Sequence, residues 1–187
     1  SADDISKTSS ATVTVVALPT ATFTASTISP LYNATNVTVT PVWSGGTTAA
    51  KLGTTLGGSD ISASATSSTA IGVQTSGFTT AKTYYLRVTN AAGSTADYNV
   101  IITPQTVSVS NVSPSSTTMA PGTPAFSATV SGGATNSVTW TATGSGSFSS
   151  NTWTSPTTPG TYTITATSVD DASKYYSVTM TISAPVI

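Results

Sequence analysis

Asp170 and Asp171 stand side by side in SVDDASK, and a second pair, Asp3 and Asp4, stands in SADDISK near the start of the 187-residue chain. Carboxylate oxygens are what Ca²⁺ collects, six to eight ligands at a time. The pair is therefore a candidate calcium site that would stiffen a joint between modules. Against it, no Glu is present to supply a bidentate ligand. Asp is also a common turn residue that can pair locally with Lys174. An acid/base dyad is disfavoured, because cleaving a glycoside takes two carboxylates facing each other across the substrate.

Other chemistry is bounded by what is missing. The chain holds no His, Cys or Glu, six Asp and five Lys plus Arg, for a net charge of −1. Without His, Glu or Cys there is no ordinary general base near neutral pH, no thiol nucleophile and no structural zinc set. No basic run offers a footprint for nucleic acid or an anionic membrane. The sequence predicts no enzyme and no cofactor other than the candidate calcium. An internal isopeptide bond would need a buried acid beside Lys51 or Lys82, and Lys82 sits in an AKTY turn where a solvated lysine is expected. Asn33, Asn36 and Asn111 open N-x-[ST] triplets, which are glycan acceptors in a glycosylating host. Thr157 and Thr158 are softer candidates for O-linked sugar. Trp43, Trp153 and Tyr175 are candidate sugar-stacking residues, to be weighed against ordinary core or sheet-surface roles for aromatics on strands.

The elements that would carry these residues are strands. Ser and Thr make up about two in five residues. They alternate with Val, Ile, Tyr, Phe and Trp in short runs, the pattern of a half-buried strand. Strand signals recur about every ten residues with turn signals between, so the fold class is all-β, as sandwiches of short antiparallel strands. In residues 20–104 the expected strands include TATFTAS, NVTVTPVWS, KTYYLRVTN and STADYNVIIT. In 105–187 they are TVSVSNV, PAFSATV, NSVTWTA, GTYTITATS and KYYSVTMTIS. Pro104 marks the joint. In the second module the alternation turns Phe126, Ala128, Val130, Val138, Trp140, Tyr162, Ile164, Ala166, Val178, Met180 and Ile182 inward. No run approaches the ~20 apolar residues of a membrane-spanning helix, and no signal segment opens the chain. The absence of Glu and the scarcity of Lys and Arg favour an extracellular or cell-surface setting over the cytoplasm.

VSVSNVSPSSTTMAPGTPAFSATVSGG, NSVTWTATGSGSFSSNTWTSP and TPGTYTITATSVDDASK resemble the bacterial immunoglobulin-like (Big-type) domains that occur in tandem on surface proteins. On this resemblance Trp140 takes the place of the buried tryptophan of strand C. Tyr162, two residues before Ile164, has the spacing of a tyrosine corner. TPVWSGGTTAAKLG and TYYLRVTNAAGSTADYNVIIT resemble a sister type, with Tyr84, Leu86 and Val88 in the matching strand. The resemblance implies two tandem immunoglobulin-like sandwiches, at 20–104 and 105–187.

At a constant offset, Ser1, Asp3, Asp4, Ser6, Lys7, Ser10, Thr12 and Thr14 recur as Ser168, Asp170, Asp171, Ser173, Lys174, Ser177, Thr179 and Thr181. Residues 1–19 are accordingly expected to be the final strand of a preceding module or a donor strand, pairing over 1–16 within the chain or with a neighbour. The expected function is a non-catalytic structural module of a bacterial extracellular array, a stalk, fibre or adhesin shaft. Its expected partners are neighbouring modules or identical subunits, with glycans a further class. The alternatives are an accessory module that binds glycan or cell-wall polymer, and a phage virion decoration domain.

Overall fold

The computed structural model describes residues 10–184 other than Ser26, Gly45 and Thr75. Every regular element among the described residues is a β-strand, and the architecture is all-β, built mostly of antiparallel pairs.

The first strands are β1 (Thr20–Phe23), β2 (Thr27–Ile28), β3 (Val37–Val39), β4 (Pro41–Ser44), β5 (Thr47–Gly53), β6 (Ile71–Gln74), β7 (Lys82–Asn90) and β8 (Thr95–Ile102). One sheet runs in the order β2-β8-β7-β5, with β2 parallel to β8. Two further antiparallel pairs are formed by β1 with β4 and by β3 with β6. In β7 the period of two buries Tyr84, Leu86 and Val88, while Tyr85, Arg87 and Thr89 are half-buried. The expected single strand NVTVTPVWS is two. It divides at Thr40, and Pro41 opens β4, a position where its missing N–H costs no ladder bond. The outer edge of β5 is covered by its own following loop, with Leu52 donating to Ser62 at 2.9 Å and Ala65 to Ala50 at 2.8 Å. Covering an edge in this way blunts a template for stray strand pairing.

The later strands are β9 (Ser108–Ser113), β10 (Thr117–Met119), β11 (Ser127–Ser131), β12 (Val138–Ala142), β13 (Ser147–Ser149), β14 (Thr152–Thr154), β15 (Gly160–Ser168) and β16 (Tyr175–Ile182). A sheet ordered β10-β16-β15-β12 has β10 parallel to β16 and the other pairs antiparallel. Opposite it lie the β9–β11 pair and the β13–β14 hairpin. The core holds Val109, Val112, Phe126, Trp153, Tyr162, Ile164, Ala166, Val178, Met180 and Ile182. Ala128, Val130, Val138 and Trp140, also expected inward, are partly buried and pack against that core. The tyrosine corner is present: the Tyr162 hydroxyl donates to the Thr158 carbonyl at 3.0 Å.

The chain forms two compact units. One comprises Thr40–Thr69, Tyr84–Asn99 and the described residues up to Thr24; the other comprises Ala25–Val39, Ala70–Thr83 and the described residues from Val100 onward. Of the strand expected over 1–16, residues 1–9 lie outside the described residues. Ser10–Pro19 carry no ladder among the described residues.

Candidate functional site

Tyr32 and Asn33 meet the Gly132–Thr135 turn and Asp170, all within one compact unit. Their own loop is a tight turn, with Ala34 N–H donating to the Leu31 carbonyl at 3.1 Å and Asn33 in the left-handed region at φ 64°. Asn tolerates that conformation better than most residues. The loop is hooked to the buried Phe78 by two backbone bonds of 2.9 Å: Asn33 N–H donates to the Phe78 carbonyl, and Phe78 N–H donates to the Ala34 carbonyl. From this base Tyr32 N–H donates to the Gly132 carbonyl at 2.7 Å, and Ala134 N–H returns to the Tyr32 carbonyl at 3.0 Å. Asn33 Nδ2 then donates to Asp170 Oδ1 at 3.2 Å. The other oxygen, Oδ2, accepts from Thr135 N–H at 2.8 Å and its hydroxyl at 2.9 Å. Gly133 leaves room for this carboxylate, since a Cβ there would run into Asp170 Oδ2.

The turn that presents Asp170 is built from residues the N-terminal stretch shares. The Ser168 hydroxyl, on a buried residue, accepts from the N–H groups of Asp170 and Asp171 at 3.2 and 3.3 Å. Asp171 Oδ1 accepts from Ser173 N–H at 3.0 Å and its hydroxyl at 2.7 Å. Lys174 closes the turn through its backbone, donating to the Asp171 carbonyl and accepting from Ser168 N–H, each at 2.9 Å. Partial burial pushes the Asp170 carboxyl up, but the donors from Thr135, Asn33 and Asn136 outweigh it and hold it below the usual carboxylate range. Asp171 is likewise lowered, first by the Ser173 hydroxyl.

The two aspartates expected at a calcium site therefore serve different partners, each already an acceptor for N–H and O–H donors. Among the described residues no three metal-ligating side chains gather. Asp3 and Asp4 lie outside the described residues. Of the three N-x-[ST] asparagines, Asn33 has its amide in use, and Asn36 and Asn111 are exposed. All three have positive φ, between 52° and 64°. Lys82 Nζ donates to Gln74 Oε1 at 2.9 Å and lies 5.8 Å from the centre of the Phe78 ring. Lys51 is half-buried on β5, opposite Arg87.

The sugar-stacking set separates. Trp153 is 0% exposed, so it offers no ring face to a ligand; the β13–β14 hairpin turns it into the core beside Tyr162, at 5.8 Å between ring centres. Trp43 is half-buried on β4, beside Thr20 and Ser44. Tyr175 is 65% exposed, and Tyr176 next to it is also exposed. Sequence reasoning put Trp140 in the place of the buried tryptophan; instead it is half-buried and stacked on Phe148 at 6.0 Å with an 18° interplanar angle. It missed the Asn33–Asp170 contact, which joins residues 137 positions apart. The only hint was that both fall in turn-like stretches.

No protein-family model matches this chain, and no curated protein is similar enough to stand as a relative. Solved structures give distant likenesses. The fibronectin(III)-like modules of Clostridium thermocellum CbhA are 15% identical with a TM-score of 0.35, over 88% of this chain and 95% of that one. The protocadherin gammaB7 EC3-6 cis-dimer is 16% identical with a TM-score of 0.35, over 88% and 46%. The insect immune protein hemolin is 11% identical with a TM-score of 0.36, over 89% and 47%. These likenesses are too remote to inform function, and the description of the fold rests on the strand pairings themselves.

Proposed function

We propose that the chain is a non-catalytic structural module of a bacterial extracellular array, a stalk, fibre or adhesin shaft, built of Big-type immunoglobulin-like modules at 20–104 and 105–187. One observation carries this reading: each of the four described aspartates is spent as a fastener. Asp60 holds Thr54 N–H and hydroxyl at 3.0 and 2.7 Å, and Asp97 holds Arg87 through two bonds of 2.7 and 2.6 Å. Asp170 holds Asn33 and Thr135, and Asp171 holds Ser173. Carboxylates used in this way fix turns and strand pairs, which is what a chain selected for holding its shape requires. Solubility comes from hydroxyls, many of them paired across strands, as between Thr165 and Ser177 at 2.9 Å.

The exposed Tyr175 and half-buried Trp43 keep a second reading in view, an accessory module that binds glycan. Titration calorimetry with soluble cell-wall polysaccharides separates the two. The structural reading expects no saturable heat. Saturable heat that is lost in Trp43→Ala or Tyr175→Ala would replace it with the binding module.

A further inference from the structure

The described N-terminal residues present an apolar row that no strand or core among the described residues covers. Val13 and Val15 are 83% and 89% exposed. Among the described residues the segment is fastened from Ala17 onward. The Ala17 carbonyl accepts from Asn90 Nδ2 at 2.9 Å, and the Pro19 carbonyl accepts from the Tyr98 hydroxyl at 3.1 Å.

The structure shows what the matching residues do in β16. At an offset of 167 (178 minus 11), Ala11, Val13 and Val15 correspond to Val178, Met180 and Ile182. Those three are buried in the core, at 6%, 0% and 1% exposure, while Thr179 between them faces outward. β16 lies between β10 and β15, so its backbone is paired on both sides and one face is covered. Every core-facing position of the slot has an apolar counterpart in Ser10–Val16, in phase. A slip of one residue would turn Thr12 and Thr14 inward instead.

We propose that Ser10–Val16 is the final strand of a further sandwich of the C-terminal kind, seated as β16 is, between counterparts of β10 and β15 that precede Ser1 in the same polypeptide. This rests on the array reading and specifies its repeat. Binding of sugar in the calorimetry above would sink the array reading and leave the strand assignment standing, because the tests below read strand seating alone.

In the full chain carrying Met180→Asp and Ile182→Asp, β16 cannot seat. A synthetic peptide of residues 7–16 is expected to restore cooperative melting and to co-elute with this variant, as a peptide of residues 174–183 does. The 7–16 peptide with Val13→Asp and Val15→Asp is expected to do neither. Rescue by 174–183 but not by 7–16 overturns the proposal. If neither peptide seats, two grafts in the uncut chain decide. Val178→Ala with Met180→Val and Ile182→Val installs the N-terminal residues in register. Val178→Thr, Thr179→Val, Met180→Thr, Thr181→Val and Ile182→Val installs them one residue out. The in-register graft is expected to melt at least about 10 °C higher, the shift that losing an inward-facing apolar pair produces in a domain of this size. Equal melting overturns the proposal. Dimers of the unaltered chain that vanish with Val13→Asp and Val15→Asp would also overturn it, by showing the strand lent between copies.

Discussion

Asp170 gathers donors from two places distant in sequence, Asn33 and Thr135. Removing a partly exposed acceptor of this kind costs about 1–2 kcal/mol, so Asp170→Ala should lower urea-unfolding stability by that much. Asn33→Ala should cost less. The double variant should fall short of the sum, because the two side chains act through each other. The pH dependence has a definite sign. The folded pKa of Asp170 is depressed, so its contribution is fully present above the unfolded value of about 3.9 and is lost as pH falls through the folded one. Wild type and Asp170→Asn should therefore differ most above about pH 5 and converge as pH falls below the unfolded value of about 3.9. A gap that stays constant over that range would show that the carboxylate charge does not contribute.

At the scale of elements, legibility followed length and alternation. β7, β15 and β16 hold eight or nine residues each and bury alternate side chains over most of their length, so period-two reading found them. β13 and β14 hold three residues each, too few to show a period, and they decide where Trp153 goes. That is why the sequence left Trp153 among the candidate sugar-stacking residues, while the resemblance put Trp140 in the place of the core tryptophan. β5, TTAAKLG, was invisible because its small side chains give a weak apolar signal, and its burial comes from the β7 ladder and the loop over its edge. The tyrosine corner was legible because it depends on local spacing. Tyr162→Phe should cost about 1 kcal/mol by leaving the Thr158 carbonyl without its donor, measured as a lower urea midpoint with an unchanged slope. A changed slope would mean that the corner also governs how compact the unfolded chain is.

For the molecule as a whole, what matters is which forces it declines to use. The Arg87–Asp97 pair is the ion pair found among the described residues, and both side chains remain partly open to water, at 30% and 24% exposure. Surface sheet faces are instead stitched by hydroxyl contacts such as Ser108 with Ser131 at 2.9 Å and Thr20 with Ser44 at 3.3 Å. Dissolved ions shorten the reach of charge, from about 10 Å at 0.1 M to about 3 Å at 1 M, and leave hydroxyl pairs nearly untouched. The melting temperature of the unit that holds this pair should thus move by no more than about 4–8 °C between 0.05 and 1 M sodium chloride, the ceiling that one exposed ion pair sets in a compact unit of this size. A larger fall, read by calorimetry, would reveal a long-range electrostatic contribution. A chain stitched by cross-strand hydroxyls in place of charge is expected to be nearly indifferent to ionic strength, and the same fold would then serve in dilute water and in brine.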